Sequence, residues 1–148
     1  MDLQHQAVDL VAKAMNLTHR TILAVSGGRI GGSVAGMQAV ELHTTGRKSG
    51  ARRSCMLTAP IHDDHRTVLV ASKGGDERQP DWYRNLVAEP DIELTVAGTT
   101  RPMRARTATP DEKAALWPGI VSTYKGYADY QARTERDIPV VICEPRPA

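Results

Sequence analysis

The sequence contains no phenylalanine, and its 148 residues include only two tryptophans and four tyrosines. All six of these rings lie in the second half of the chain, at Trp82, Tyr83, Trp117, Tyr124, Tyr127 and Tyr130. Because aromatic rings usually supply much of the buried area of a core, Leu, Val, Ile, Met and Ala must fill this interior. The clustered rings therefore require an explanation other than general packing.

Other features are also scarce. Cys55 and Cys143 are too few for a disulfide framework, and we expect them to be free thiols in strands. No apolar run approaches the roughly 18 residues of a membrane span, and residues 1–17 lack the basic and apolar regions of a signal peptide. The expected location is cytoplasmic, with peripheral contact at the inner face of the membrane as the alternative. The net charge of +2 argues against a dedicated nucleic-acid-binding module.

The organisation of the chain indicates a single domain over residues 1–148 with three parts. Apolar residues at helical spacing from Leu3 to Ala14 predict an amphipathic N-terminal helix within residues 1–25. Residues 26–37 are rich in glycine and are interpreted as a connector. Residues 38–145 show short alternating segments separated by turns, which are typical of strands in hairpins.

Six strands and two helical regions are expected in this last part. Thr109 and Glu112 form a capping box that predicts a helix from residue 110, interrupted at Pro118–Gly119 before a segment that carries the three tyrosines. Another helix is expected over residues 82–88. The expected strands cover residues 40–44, 52–62, 67–71, 92–96, 102–108 and 138–143. The fold class is mainly β (α+β), a six-stranded antiparallel, partly closed barrel with helices between and after the hairpins.

Two basic, glycine-bearing turns are candidate ligand sites. The first, Thr45–Gly50, presents Arg47, Lys48 and Ser49 and is followed by Arg53. Forked guanidinium donors, a lysine charge and backbone N–H groups near glycine suit a phosphate or carboxylate, although such turns are often merely solvated. The second turn, Ala71–Gly75, supplies a hydroxyl and a cation, or is only a flexible strand exit.

The aromatic residues follow these turns in the chain. Trp82 and Asn85 share a helix face, where a ring and an amide suit a planar heteroaromatic ligand; the alternative is that Trp82 closes one end of the barrel. Tyr124, Tyr127 and Tyr130 recur every three residues and are expected on one helix, as a pocket wall or as a packing stripe. Phenols at a pocket wall can serve as proton donors.

Hydrolytic and metal chemistry find little support. The segment from His62 to His65 has residue types that bind metals, but a turn made by its two aspartates is the simpler interpretation, and no metal is expected. No arrangement of serine, histidine and aspartate, or of cysteine and histidine, follows from the spacing. The sequence therefore favours chemistry carried out by a cofactor.

Several segments together resemble the deazaflavin (coenzyme F420)-dependent nitroreductase family over about residues 38 to 145. They are LHTTGRKSG at 42–50 with Arg53, ASKGG at 71–75, PDWYRNL at 80–86 and IPVV at 138–141. The resemblance implies a split β-barrel oxidoreductase that transfers a hydride from reduced F420, an 8-hydroxy-5-deazaflavin with a phosphodiester and oligoglutamate tail. The acceptor would be an electron-poor small molecule such as a nitroaromatic, a quinone or an activated alkene.

The resemblance also implies roles for individual residues. Contacts to the phosphate and tail are expected from Arg47, Lys48, Ser49 and Arg53. The groove around the deazaflavin is expected from Met56, Ala71, Ser72, Lys73, Trp82, Asn85 and Tyr127. Substrate contacts are expected from Thr58, Tyr124 and Tyr130, and the catalytic candidates are Tyr127, Tyr130 and Ser72. Met56 and Thr58 replace a proline and a tyrosine that are common in the family, which alters the pocket wall.

Three other functions stay open at this point. A related split-barrel enzyme would use FMN in place of F420. A carrier would bind the deazaflavin without turnover. A basic nucleic-acid module ranks last because of the near-neutral charge. The expected assembly is a monomer or a homodimer.

Overall fold

The computed structural model describes residues 33–34 and 36–147. The helix expected over residues 1–25 and most of the connector expected over 26–37 lie outside the described residues. The described end of the connector forms a hairpin in which Ser33 and Val34 pair with Gln38 and Met37. Gly36 between them has a φ of 77°, a left-handed value that glycine adopts without steric penalty, so the chain can reverse there.

Within the described residues, eight strands form one sheet in which the pairs are antiparallel, and three α-helices join or follow them. The strands are β1 (Ser33–Val34), β2 (Met37–Thr45), β3 (Arg52–Ala59), β4 (Ile61–His62), β5 (Thr67–Val70), β6 (Asp91–Val96), β7 (Thr99–Thr107) and β8 (Val140–Pro145). The helices are α1 (Asp81–Ala88), α2 (Pro110–Thr123) and α3 (Gly126–Arg133), and a short 3₁₀ turn covers Lys73–Gly75.

The sheet is curled into a half-barrel. Its strand order is β1-β2-β6-β7-β8-β5-β4, and β3 pairs with β2 from Gln38 opposite Ala59 to Thr45 opposite Arg52. The curl brings β3 next to β5, which belongs to the far end of that order. The split antiparallel barrel predicted from the sequence is therefore confirmed.

The strand count differs from the six that were expected. Pro60 divides the segment predicted over residues 52–62 into β3 and β4, because proline cannot donate a ladder hydrogen bond. The hairpin at Gly36 adds β1, which lies in the segment interpreted as a connector. The two additional strands have only two residues each, so the architecture is unchanged.

Aliphatic side chains fill the interior, as the lack of phenylalanine requires. One cluster, inside the half-barrel, joins six of the eight strands to Leu86 of α1; it includes Val40, Leu42, Ala59, Leu69, Leu86, Ile92, Leu94, Ala105 and Val141. A second cluster packs Val68, Val70, Ile120, Ile138 and Val140 against Tyr127. Among the described residues, none of the largest side chains with less than 2% exposure is aromatic. Cys143 is buried and Cys55 half-buried, and both lie in strands as predicted, with no disulfide between them.

The capping box predicted at the start of α2 is present. Thr109 Oγ1 accepts from the Glu112 N–H at 3.2 Å, and Glu112 Oε1 accepts from the Thr109 N–H at 3.0 Å. The predicted interruption at Pro118–Gly119 is wrong, because α2 continues to Thr123. Proline removes one backbone hydrogen bond from the helix, and the burial of Ile120, with Leu116 and Trp117 packed beside it, compensates for that loss.

The three tyrosines do not lie on one helix, which corrects a second expectation. Tyr124 ends α2 in an extended conformation, whereas Tyr127 and Tyr130 lie on α3. Gly126 starts α3 directly under the Tyr124 ring, where a Cβ would approach a ring carbon to 2.4 Å. Glycine at this position therefore allows Tyr124 to fold back over α3.

No helix of the described part of the chain is long and apolar enough to cross a membrane.

Stability at low pH should depend on Glu112. The Arg106 hydrogen bond first, and the Thr109 N–H next, lower the pKa of Glu112 to about 2 from an ordinary 4.5. A carboxyl with a lowered folded-state pKa stabilises the fold above its unfolded pKa, and this contribution disappears as the pH falls from 4.5 to about 2. We expect Glu112→Gln to be destabilised at pH 6, with a deficit relative to wild type that shrinks over this interval.

Urea unfolding of wild type and Glu112→Gln between pH 2 and pH 6 measures this deficit. Glu135→Gln, at an exposed position outside α2, is the control and should follow the wild-type profile. A deficit of constant size over the whole range would contradict the assignment.

Candidate functional site

The first basic turn has a compact backbone that directs its polar side chains outward. The Gly46 N–H donates to Ala51 O and the Gly50 N–H to Gly46 O, each at 2.8 Å. A Cβ on Gly46 would lie 2.8 Å from Ser49 Oγ, and Gly50 has a φ of 72°. These constraints leave the Arg47, Lys48 and Ser49 side chains exposed at the end of the β2–β3 hairpin.

Helix α1 holds this turn in place through Asn85. The buried Asn85 Oδ1 accepts from the Arg47 backbone N–H at 3.2 Å and from Arg47 Nη1 at 2.9 Å. Asn85 Nδ2 donates to Thr44 Oγ1 at 3.4 Å, and Asp81 Oδ1 lies 3.4 Å from Arg47 Nη2. Asn85 therefore orients the cation, and the ligand contact expected of its amide stays a prediction.

A cavity of about 530 Å³ opens between this turn, β3 and α1. Its volume lies within the range of small-molecule and cofactor sites. The lining residues are Thr44, Gly46, Arg47, Lys48, Ser49, Arg53, Ser54, Cys55, Asp81, Trp82 and Asn85. Three cations against one carboxylate make this basic cavity suited to an anionic ligand, with Trp82 as a flat apolar wall.

The cavity unites six of the predicted site residues. The predicted residues that line it are Arg47, Lys48, Ser49, Arg53, Trp82 and Asn85, although 29 positions of the sequence separate Arg53 from Trp82. Sequence reasoning missed Thr44, Ser54, Cys55 and Asp81. Asp81 could have been found, because it lies four residues before Asn85 on the same helix face.

The tyrosines form a second group, the tyrosine cluster, defined by Tyr124, Tyr127 and Tyr130. Ring centroids are 5.1 Å apart for Tyr124 and Tyr127, 6.3 Å for Tyr124 and Tyr130, and 6.2 Å for Tyr127 and Tyr130. The hydroxyls of Tyr124 and Tyr130 are 3.3 Å apart. The Tyr127 hydroxyl is buried and lies 3.6 Å from Met37 Sδ.

Contacts within this cluster shift the acidity of two phenols. The hydrogen bond with Tyr124 and then burial raise the pKa of Tyr130 to about 12. Burial raises the pKa of Tyr127, and a hydrogen bond with Thr58 partly opposes that rise. Both phenols therefore keep their protons through neutral pH. Thr58 contacts the cluster through Tyr127, and its role on the substrate side stays a prediction.

The second basic turn lies against the tyrosine cluster and not at the basic cavity. Gly75 packs on α3, since a Cβ there would lie 2.8 Å from Tyr130 O. Ala71 and Ser72 are buried and Lys73 is half-buried. Met56, also predicted to contact a ligand, is buried on β3 between the residues that line the cavity and Thr58.

The segment from His62 to His65 has a structural role. Asp63 Oδ1 accepts from the backbone N–H groups of His65 at 2.7 Å and of Arg66 at 2.9 Å, and the His62 ring bonds to Thr67. This is a turn closed by an aspartate. Within the described ranges, no three histidine, cysteine or carboxylate side chains are grouped so that they could hold a metal ion.

Comparisons with known proteins show which family this chain resembles. Residues 16–145 match the family model described as F420H(2)-dependent quinone reductase. An F420H(2)-dependent quinone reductase of Mycobacterium tuberculosis (strain H37Rv) is 39% identical over 128 residues, which cover 84% of this chain and 85% of that protein. A solved F420-H2 dependent reductase is 37% identical with a TM-score of 0.65, over 72% of this chain and 93% of that one. Another solved structure, described as a domain-swapped dimer, is 34% identical with a TM-score of 0.68, over 86% and 96% of the two chains.

The hydrogen bond between Tyr124 and Tyr130 predicts a spectroscopic result that needs no ligand. We expect Tyr124→Phe to lower the pKa of Tyr130 from about 12 toward 10, because the largest cause of the rise is removed. NMR titration of protein labelled at the tyrosine ring Cζ carbon measures this pKa directly. Tyr83→Phe, which removes a phenol bonded to Thr107, is the control. An unchanged Tyr130 pKa in Tyr124→Phe would mean that burial alone sets it.

Proposed function

The chain belongs to the F420H(2)-dependent quinone reductase family, and we propose that it catalyses hydride transfer from reduced coenzyme F420 to a quinone. In this proposal, the basic cavity and the tyrosine cluster together hold the coenzyme and the quinone. The family, the oxidoreductase class and the coenzyme expected from the sequence are confirmed by its relatives. The residues that carry the reaction are our assignment. The observation that supports this assignment most is the basic cavity, whose lining places three cations where an anionic tail can enter.

The residues of the cavity fit the tail of this coenzyme. A phosphodiester and an oligoglutamate chain require several cations and hydrogen-bond donors along one groove. Arg47, oriented by Asn85, provides a forked donor, and Lys48 and Arg53 provide further charges on the same wall. Ser49 Oγ lies 3.5 Å from Arg53 Nη2, so the hydroxyl and this guanidinium can contact one phosphate oxygen together.

Strand β3 connects the two groups of residues. Arg53 lines the basic cavity and Thr58 bonds within the tyrosine cluster, five residues further on. Five residues of extended strand span roughly 17 Å. We assign the tail to the cavity end and the acceptor to the tyrosine end, with the deazaflavin over the intervening wall that includes Met56. In this assignment, Trp82 contacts the ring from α1, and Ser72 and Lys73 border it on the other side.

The reduced coenzyme supplies the hydride when it is bound. The chain must hold the acceptor beside it, keep water out and provide a proton for the reduced acceptor oxygen. Among the catalytic candidates, Tyr130 suits the proton role because its hydroxyl is half-buried and paired with that of Tyr124. Tyr127 is buried against Met37 and is assigned to the wall of the acceptor site. The buried Ser72 hydroxyl is assigned to orient the acceptor.

The surroundings in which the protein acts are also part of the proposal. The sequence has only two cysteines, too few for a disulfide framework, which supports a reducing compartment, the cytoplasm. A lipophilic quinone would be reached by peripheral contact at the inner face of the membrane through the helix expected over residues 1–25. The solved relative described as a domain-swapped dimer supports a homodimer as the assembly.

Binding of F420 should depend on the basic cavity. We expect Arg47→Gln combined with Lys48→Gln to raise the dissociation constant of F420 at least about tenfold, the effect of losing one charge-assisted hydrogen bond. The loss should be greatest at low salt, because salt screens the cations in the wild type. Quenching of deazaflavin fluorescence measures the constant.

Arg104→Gln is the matched control, since it removes an exposed arginine that pairs with Asp91 away from the cavity. A double variant that binds like the wild type would remove the cavity from the proposal. A wild type that shows no F420 binding at tens of micromolar coenzyme, or that prefers FMN, would overturn the function itself.

Turnover should depend on Tyr130. In anaerobic assays with reduced F420 and a water-soluble quinone, we expect Tyr130→Phe to lower kcat by about 100-fold, the usual scale of general acid catalysis, with little change in coenzyme affinity. Tyr83→Phe serves again as the control. Wild-type protein that binds the coenzyme without oxidising it with any quinone would be a carrier, and full activity of Tyr130→Phe would exclude Tyr130 as an essential acid.

A further inference from the structure

A single arginine holds the loop that contains the second basic turn. Arg136, in the segment between α3 and β8, donates through Nε to Asp76 O at 2.8 Å and through Nη1 to Gln79 Oε1 at 2.8 Å. Its Nη2 donates to Ala71 O at 3.2 Å and to Ser72 O at 2.8 Å. Four acceptors from one loop of nine residues, 71–79, thus surround one guanidinium.

The backbone of this loop has a conformation that needs such support. Lys73, Gly74 and Gly75 have successive φ values of 45°, 64° and 83°, all in the left-handed region. A lysine there is unfavourable because its Cβ crowds the backbone. Within the loop, the hydrogen bonds that close the turn are those from Gly75 N to Ser72 O at 2.9 Å and from Asp76 N to Lys73 O at 3.1 Å.

The loop is also seated on the helix that carries two of the tyrosines. At Gly75, a Cβ would lie 2.8 Å from Tyr130 O and 3.0 Å from Arg133 Cβ, so the backbone touches α3 directly. Any outward movement of the loop would therefore open a gap beside Tyr130. Because Arg136 follows α3 in the chain, it anchors the loop from the same side.

The chemistry of the contact calls for arginine. The guanidinium has five donors in a fixed fork, whereas a lysine ammonium is one point charge that cannot reach four separated acceptors. Arg136 is half-buried, and this burial lowers its pKa, an effect that Asp76 partly opposes. The buried Asp76 carboxylate also pairs with Arg78 at 3.0 Å, which ties the end of the loop.

We propose that Arg136 is a positioning residue for the protein surface that borders the deazaflavin ring. It holds the left-handed turn at residues 72–75 against α3, so that Ser72, Lys73 and Tyr130 form one surface. This inference deepens the proposed function and rests on it for the ligand. The hold on the loop itself depends on protein contacts alone. It can therefore be measured without coenzyme.

Amide hydrogen exchange followed by NMR, without coenzyme, tests the hold on the loop. We expect Arg136→Lys to raise the exchange rates at Gly75 and Asp76 about tenfold, the effect of losing one charge-assisted hydrogen bond. Gln79→Ala removes one acceptor and should give a smaller increase at the same amides. Arg146→Lys is the matched control, because Arg146 also donates to backbone carbonyls, of Met103 and Ile92, far along the sheet.

Fluorescence titration with F420 is the second measurement. Arg136→Lys should raise the dissociation constant about tenfold, and Arg146→Lys should leave it unchanged. Unchanged exchange at Gly75 and Asp76 in Arg136→Lys overturns the inference, as does faster exchange without loss of coenzyme affinity. If Arg136→Lys loosens the whole chain, Gln79→Ala decides, and unchanged exchange there overturns the inference. A wild type that does not bind F420 would refute the proposed function, while the exchange data would still show whether Arg136 holds the loop.

Discussion

Burial of an interior built mainly from aliphatic side chains is the constraint on which the rest of this structure depends. Without phenylalanine, side chains no larger than leucine and methionine fill the half-barrel, so the sheet must curl until β3 approaches β5. Leu86 of α1 belongs to the same cluster and is 1% exposed. Its burial determines where α1 lies, and with it where the neighbouring Asn85 points.

The site is built outward from that core by hydrogen bonds to backbone groups. Asn85 reaches from α1 to the Arg47 N–H, and Arg136 reaches from the segment before β8 to carbonyls of the loop at 71–79. In both cases a buried or half-buried side chain organises a glycine-bearing turn that could not hold its conformation alone. The two basic turns, which look alike in the sequence, thereby belong to different places. One forms the basic cavity and the other adjoins the tyrosine cluster.

Much of this could be predicted, and the failures have physical reasons. The alternation of strand residues and the capping box at Thr109 are local signals, and both led to the observed elements. The continuation of α2 through Pro118 could not be predicted, because it depends on the burial of Ile120 in a distant cluster. The separation of Tyr124 from α3 likewise depends on how its ring packs over Gly126.

By itself, the sequence determined the residue types of the site and their local elements. These are cations on a tight turn, a tryptophan and an amide on one helix face, and three tyrosines clustered in a chain with few other aromatic residues. These follow from spacing and composition, which act over a few residues. Only the tertiary structure decided that Asn85 orients Arg47, that the second turn adjoins Tyr130, and that Arg136 holds the loop containing this turn. These contacts join residues 38 to 65 positions apart, and their geometry is set by how the curled sheet packs around its core.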